Sequence, residues 1–233
     1  MRIHFKDVTE STNNDARVGG HGDVFIADRQ SAGRGRLDHR WESAPGLNLT
    51  FSAVFDASGI PPAEAATFPL VVGMAVADAM SAVHPPLAPR ISLKWPNDVL
   101  VDSLKLAGIL CERNGDAIIA GIGINVNQRE FPPDIASRAT SLALLCKRDF
   151  DRHAVLNEVL SELYALHSRW RGEGFKELHP AFAAKDHLKG RHVSVLQTDS
   201  DTKPVSELCG GVQPDGTLLV GDTPIYAGEA HIV

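Results

Sequence analysis

Along most of the chain, apolar positions recur with either the two-residue period of a strand or the 3.6-residue period of a helix. To about residue 185 the two alternate, which predicts a mixed α/β order. "RIHFKDV" and "DVFIAD" read as strands, and the polar cluster from Ser11 to Asp15 between them suits the cap of a short helix starting near Thr12. "LNLTFSAVF" alternates as a strand. Thr67 with Pro69 opens a helix that runs to about Val83 and is apolar nearly all round, as a central buried helix would be. After the break "HPPLAPR" come strands Ile91 to Lys94, Leu104 to Glu112 and Ala117 to Ile124. A long helix follows from about Arg152 to Arg171, ended by Gly172 and Gly174.

From about Gly190 the runs become short and β-like: "RHVSVLQ", "SELCGGVQ", "TLLVG" and "IYAGEAHIV", separated by turns such as Pro214-Asp215-Gly216 and Gly221-Asp222. The pattern predicts a small all-β unit, a partly open barrel, whose core is too small to stand alone and which therefore packs on the larger unit. The expected division is residues 1–188 and residues 189–233.

Composition narrows the class. The 233 residues are 43% hydrophobic and 22% charged, ordinary for a globular protein, with a net charge of −6. The apolar run "PLVVGMAVADAM" is interrupted at Asp78 and is too short to cross a bilayer, so no membrane association is expected. The N-terminus shows no secretory leader. Cys111, Cys146 and Cys209 are odd in number and lack ligand-spaced histidines, which argues against a disulfide framework or a zinc site and for a reducing cytoplasm. The acidic balance removes the electrostatic footprint of a nucleic-acid binder.

Against that acidity, "GRGRLDHRW", residues 33–41, concentrates three arginines. Glycines let the backbone approach a ligand, and arginine forks match carboxylate or phosphate oxygens, so Gly33-Arg34-Gly35-Arg36 is suited to cradle an anion. The same composition also fits a solvated basic loop or an RNA-binding segment. Trp41 adds a ring able to stack on a base or cover a ligand. In Lys94-Trp95-Pro96-Asn97-Asp98, Pro96 restricts Trp95 to extended geometry and presents Asn97 and Asp98 at a strand end. Lys105 opens the apolar strand "KLAGIL", where it can act chemically or simply reach solvent. Gly121, Gly123 and Asn125 in "GIGINVN" offer close backbone approach and an amide. Neither a GxxxxGK[ST] loop nor a GxGxxG fingerprint occurs. His179, Cys111 and the helix after Arg152 read as structural.

Taken in order, "ESTNND", "DRQSAGRGRLDHRW", "SAPGLNLTFS", "KWPNDVL", "KLAGIL" and "GIGINVN" resemble the successive signature segments of the biotin protein ligases. The resemblance covers the whole chain, since that family also ends in a small SH3-like β-barrel. It implies an α+β catalytic domain, a mixed sheet with flanking helices like that of class II aminoacyl-tRNA synthetases. It also implies a two-step reaction: biotin and Mg-ATP give biotinyl-5′-AMP and pyrophosphate, then a lysine of a biotin carboxyl carrier protein takes the biotin.

By the same resemblance, Ser11, Thr12 and Gln30 contact the ureido ring, with Asn13 supporting the turn. Arg34 and Arg36, with Gly33 and Gly35, close over the biotin carboxylate and adenylate phosphate, and Trp41 covers the adenine. Lys105 bridges carboxylate and α-phosphate. Asn97 and Asp98 take the triphosphate end, Mg²⁺ arriving with ATP near Asp98, and Asn125 helps. Gly108, Gly121 and Gly123 line the biotin pocket. Leu37-Asp38-His39 depart from the usual loop pattern, with aspartate able to take a glycine-like positive φ. Relatives that act as repressors carry an N-terminal winged helix; this chain opens on the catalytic-domain strand, so a monofunctional enzyme without DNA binding is expected, with a homodimer through the sheet. The alternatives are a lipoate ligase or octanoyltransferase and a non-catalytic biotin- or nucleotide-binding module.

Overall fold

Alternating apolar residues in the first quarter of the chain form β1 (Arg2–Thr9), β2 (Asp23–Gln30) and β3 (Leu49–Asp56), with α1 (Thr12–Ala16) after β1. In the computed structural model, which describes residues 1–37, 40–42, 44–197 and 204–233, there follow α2 (Pro62–Ala65) and α3 (Phe68–Val83). A 3-10 turn at Pro85–Arg90 leads to β4 (Ile91–Lys94), β5 (Asp98–Val101), β6 (Leu104–Asn114) and β7 (Ala117–Ile124). Three helices come next, α4 (Leu142–Cys146), α5 (Arg152–Glu173) and α6 (Phe175–Ala183). The chain ends in β8 (His192–Gln197), β9 (Val205–Val212), β10 (Leu218–Val220), β11 (Thr223–Ile225) and β12 (Gly228–Ile232).

Among the described residues the first sheet has seven strands in the order β1-β2-β3-β7-β6-β5-β4, parallel at β1–β2 and antiparallel elsewhere. It is a mixed sheet with flanking helices, the expected α+β class. α3 and α5 pack together beside it. Phe51, Phe55 and Phe68 are fully buried there, each contributing about 1.5–3 kcal/mol relative to exposure. Trp170 donates through Nε1 to Thr67 Oγ1 at 2.9 Å, tying α5 to the start of α3.

Several elements differ from expectation. Helix α1 begins at Thr12 as expected, but the Ser11 side chain makes no capping bond. The turn at Trp95–Asn97 returns the chain as β5, too short an apolar run to announce itself. Helices α4 and α6 were not expected. Pro180 within α6 removes one backbone donor, and burial of Phe175, Leu178 and Phe182 holds the helix. Helix α5 continues through Gly172 and stops at Gly174, φ 78°, where a left-handed residue suits the end. Residues 62–83 together are long and apolar enough to cross a bilayer, at mean hydropathy 1.6, so the length argument does not hold for the whole segment; instead 67% of its apolar window is buried inside the protein.

The C-terminal strands form a five-stranded antiparallel sheet, β11-β10-β9-β8-β12, open as a partial barrel requires. Its inward side chains, among them Val195, Val212, Leu218 and Ile225, join the same hydrophobic core as α3. Trp95 Nε1 donates to Gly216 O at 3.1 Å and Asp186 accepts from Val212 N at 2.8 Å, fastening this sheet beside the KWPND turn.

Candidate active site

Register brings the chemistry together. Thr50 of β3, Gly123 of β7 and Gly108 of β6 form one cross-strand row, and Ser52, Gly121 and Leu110 form the next but one. The missing side chains on Gly121 and Gly123 leave a hollow above the sheet. A Cβ on Gly121 would overlap Asn13 Oδ1, and one on Gly123 would overlap the Trp41 indole. These glycines thus admit protein side chains at close range, which is the immediate reason a Cβ is excluded. The hollow opens into a cleft of about 520 Å³, a usual size for a small-molecule site.

At one end the cleft is lined by neutral polar groups. Thr12 N–H donates to Gln30 Oε1 at 2.8 Å. Ser52 Oγ lies 2.7 Å from Thr12 Oγ1 and 2.6 Å from Asn13 Oδ1. Asn13 Nδ2 donates to Leu110 O at 3.2 Å and Glu112 Oε2 at 2.6 Å, so Asn13 braces strands across the sheet rather than its own turn. Ser11, Thr12 and Asn13 are all buried.

Antiparallel pairing of Arg34 with Arg40 and the 3.0 Å bond from Trp41 N to Gly33 O join the two described arms, residues 33–37 and 40–41, as an arginine hairpin. Its two leading arginines diverge. Arg36 is half-buried, which lowers its pKa against the opposing pull of Asp98 and Glu229, and its Nη2 reaches Gly228 O of β12 at 3.5 Å. The Arg34 guanidinium donates to Asn14 Oδ1 at 2.8 Å and lies 3.4 Å from Glu112 Oε2. Leu37 has a positive φ of 50°; Asp38, for which one was expected, and His39 lie outside the described residues. Gly33 lines an adjoining cavity of about 600 Å³ on which Cys111 and Glu112 also border. Burial pushes the Cys111 thiol up, in keeping with a structural role.

Positive charge gathers at the other end. Lys105 Nζ lies 2.6 Å from Asp98 Oδ1, an ion pair rather than a well-aligned hydrogen bond, and 5.9 Å from the Trp41 ring centroid. Its backbone is clamped on both sides, donating to Arg138 O at 2.7 Å and accepting from Thr140 N at 2.9 Å. Lys94 is lowered in pKa by burial, with Asp98 and Glu229 opposing that shift. Asn97 Nδ2 donates to Ile109 O at 2.8 Å, and Asn125 Nδ2 reaches Lys105 O at 3.5 Å. Trp41 Nε1 is buried without a hydrogen-bond partner among the described residues, a donor left for something in the cleft.

All the expected site residues except Gly33 thus line one cleft. Sequence reasoning missed Ser52, Glu112, Lys94, His187, Arg191 and Glu229. Of these only Glu112 and Lys94 carried a readable signal: Glu112 shares strand parity with Gly108 and Leu110, and Lys94 opens a motif already singled out.

The sequence profile of the biotin/lipoate A/B protein ligase family matches residues 7–128. Over 162 residues the chain is 33% identical to the bifunctional ligase/repressor BirA of Bacillus subtilis, covering 66% of this chain but 48% of that protein, so it spans about half the length of such relatives. With the biotin--[acetyl-CoA-carboxylase] ligase of Paracoccus denitrificans it shares 30% identity over 226 residues, 91% of each chain. The biotin protein ligase of Aquifex aeolicus, solved in complex with biotin and ATP, superposes with a TM-score of 0.86 at 31% identity over 100% of this chain and 98% of the other. A family profile over residues 7–128, which include most of the cleft's walls, and a fold shared end to end with the Aquifex aeolicus enzyme place the chain in the biotin/lipoate A/B protein ligase family.

Proposed function

We propose that the protein is a biotin protein ligase, converting biotin and Mg-ATP to biotinyl-5′-AMP and pyrophosphate and then biotinylating a lysine of a carboxylase's biotin carboxyl carrier domain. One observation carries this reading: a neutral hydrogen-bonding ledge (Thr12, Asn13 and Gln30, backed by buried Ser52) and a cationic end (Arg36, Lys94, Lys105) meet at the same 520 Å³ cleft. A cyclic urea is neutral and offers both donors and an acceptor, which suits the ledge. A carboxylate and a triphosphate repel each other unless cations offset both, which suits the other end.

In the first step a biotin carboxylate oxygen bonds to the α-phosphorus as the bond to the pyrophosphate oxygen breaks. Lys105, already beside Asp98, and Arg36 neutralise the charge that builds on the α-phosphate. In the second, the carrier's deprotonated lysine amine attacks the acyl carbon and AMP departs with the bonding pair. Trp41 lies against Gly123 and Gly108, its indole N–H without a partner among the described residues, which supports a role in covering the adenine. Mg²⁺ enters with ATP. Among the described residues no cluster of three metal-binding side chains exists, and a carboxylate such as Asp98 would suit an ion held mainly by phosphates and water.

The catalytic unit is assigned to residues 1–188 and the accessory β unit to residues 189–233. The outer strand β1, with Ile3, Phe5 and Val8 exposed, supports a homodimer through the large sheet, and the unpaired cysteines support a cytoplasmic location. The deciding assay is biotin- and ATP-dependent labelling of a purified carrier domain. Labelling with lipoate or octanoate in place of biotin would move the assignment to the other branch of the family, and no acyl transfer at all would leave only a binding module.

A further inference from the structure

Glu112 takes no part in the chemistry above, yet its carboxylate joins the ledge to the hairpin. Oε2 accepts from Asn13 Nδ2 at 2.6 Å and lies 3.4 Å from Arg34 Nη2, while Oε1 lies 3.3 Å from Arg17 Nη2. The side chain is 23% exposed, so its bond to buried Asn13 is shielded while its arginine contacts face the surface. We propose that Glu112 is a positioning residue that sets the hydrogen-bond direction of the ledge and anchors the arginine hairpin above it. The proposal rests on the biotin reading of the cleft.

The direction follows from counting protons. Asn13 Nδ2 carries two, directed to Glu112 Oε2 and Leu110 O, so its Oδ1 is turned toward Ser52. An amide oxygen only accepts, so the single Ser52 proton goes to it. The Thr12 proton goes to Gln30 Oε1 at 3.1 Å, likewise an amide oxygen, and both Thr12 lone pairs remain for an N–H in the cleft. Without a carboxylate at 112 the Asn13 amide can turn over. The Ser52 proton would then pass to Thr12 Oγ1, 2.7 Å away, consuming a lone pair the ureido ring needs. The arginine contacts act separately. Arg34 is held between Glu112 and Asn14, which pins the start of the hairpin to β6 and α1.

The test uses the full chain and biotin-dependent ATP–pyrophosphate exchange. Glu112→Ala is expected to raise the KM for biotin about tenfold, the order of a lost charge-assisted hydrogen bond, while the KM for ATP moves less than about twofold. Glu112→Gln, whose amide oxygen still accepts from Asn13, leaves the biotin KM near that of the parent. It releases biotinyl-AMP about threefold faster, the order of a lost exposed ion pair, and adds nothing in an Arg34→Ala background. Equal rises in both KM values, or an unchanged biotin KM in Glu112→Ala, overturn the role. Where Glu112→Ala does not fold, a parental release rate in Glu112→Gln overturns it. A parent chain without biotin-dependent exchange overturns the ligase reading itself, and this role with it.

Discussion

Lys105 lies beside Asp98, and Arg36 feels both Asp98 and Glu229, so single substitutions at these two proposed site residues are expected to separate the chemical step from retention of its product. Lys105→Ala is expected to lower biotin-dependent ATP–pyrophosphate exchange by about 10²- to 10³-fold, the order seen on removing one preorganised donor; near-normal exchange would reject its assignment. Arg36→Gly is expected to loosen the hairpin where it touches Gly228, so that biotinyl-AMP escapes and labels bystander lysines in added albumin. Labelling confined to the carrier domain would remove Arg36 from that role. At this scale the chain was legible where residue type and chemistry coincide: Thr12, Gln30, Lys105 and the arginines. Ser52 was not, because a lone serine inside an apolar strand has no spacing to mark it, and only strand pairing brings it beside Asn13. Nor could sequence show that Arg34 turns to Asn14 and Glu112 while Arg36 turns to the C-terminal sheet.

Among the elements, the strand β7 glycines decide how the hairpin seats. The Gly123→Ala side chain would occupy the Trp41 indole position, so Trp41 must move. The expected result is an ATP KM raised about tenfold, the order of one lost base–aromatic stack, with a smaller change for biotin. A shift in indole emission should accompany it; unchanged kinetics with an unchanged emission spectrum would show that Trp41 is not held there. Apart from β5 and β11, the strands were readable from periodicity, as were the two long helices α3 and α5. α6 was not, since Pro180 reads as a breaker and only the burial of Phe175, Leu178 and Phe182 overrides it. β5 escaped notice because a four-residue strand acquires its identity from its partners β4 and β6.

Across the whole molecule, the junction of the two sheets has a pH signature. His187 is buried beside Ser92, and burial with the nearby Arg191 and Lys94 charges lowers its pKa from 6.5 to about 4. The folded protein therefore resists a proton that the unfolded chain accepts, so stability falls as pH drops from 6.5 toward 4 and the loss levels off below that. The expected loss is up to about 3 kcal/mol, read as urea midpoints across that range. His167, also lowered by burial, adds the same sign, so His187→Asn should flatten the profile without abolishing the slope. An identical profile in that variant would place the pH sensitivity elsewhere. The sequence by itself determined the order of the longer strands and helices, the β character of the C-terminal unit and the residue types of the site, because periodicity, turn chemistry and motif spacing are local properties. Tertiary structure alone decided that Lys105 pairs with Asp98 and that Glu112 braces Asn13 and Arg34. It alone also brought the C-terminal sheet up to Arg36, since those contacts depend on cross-strand register and on a core shared between the sheets.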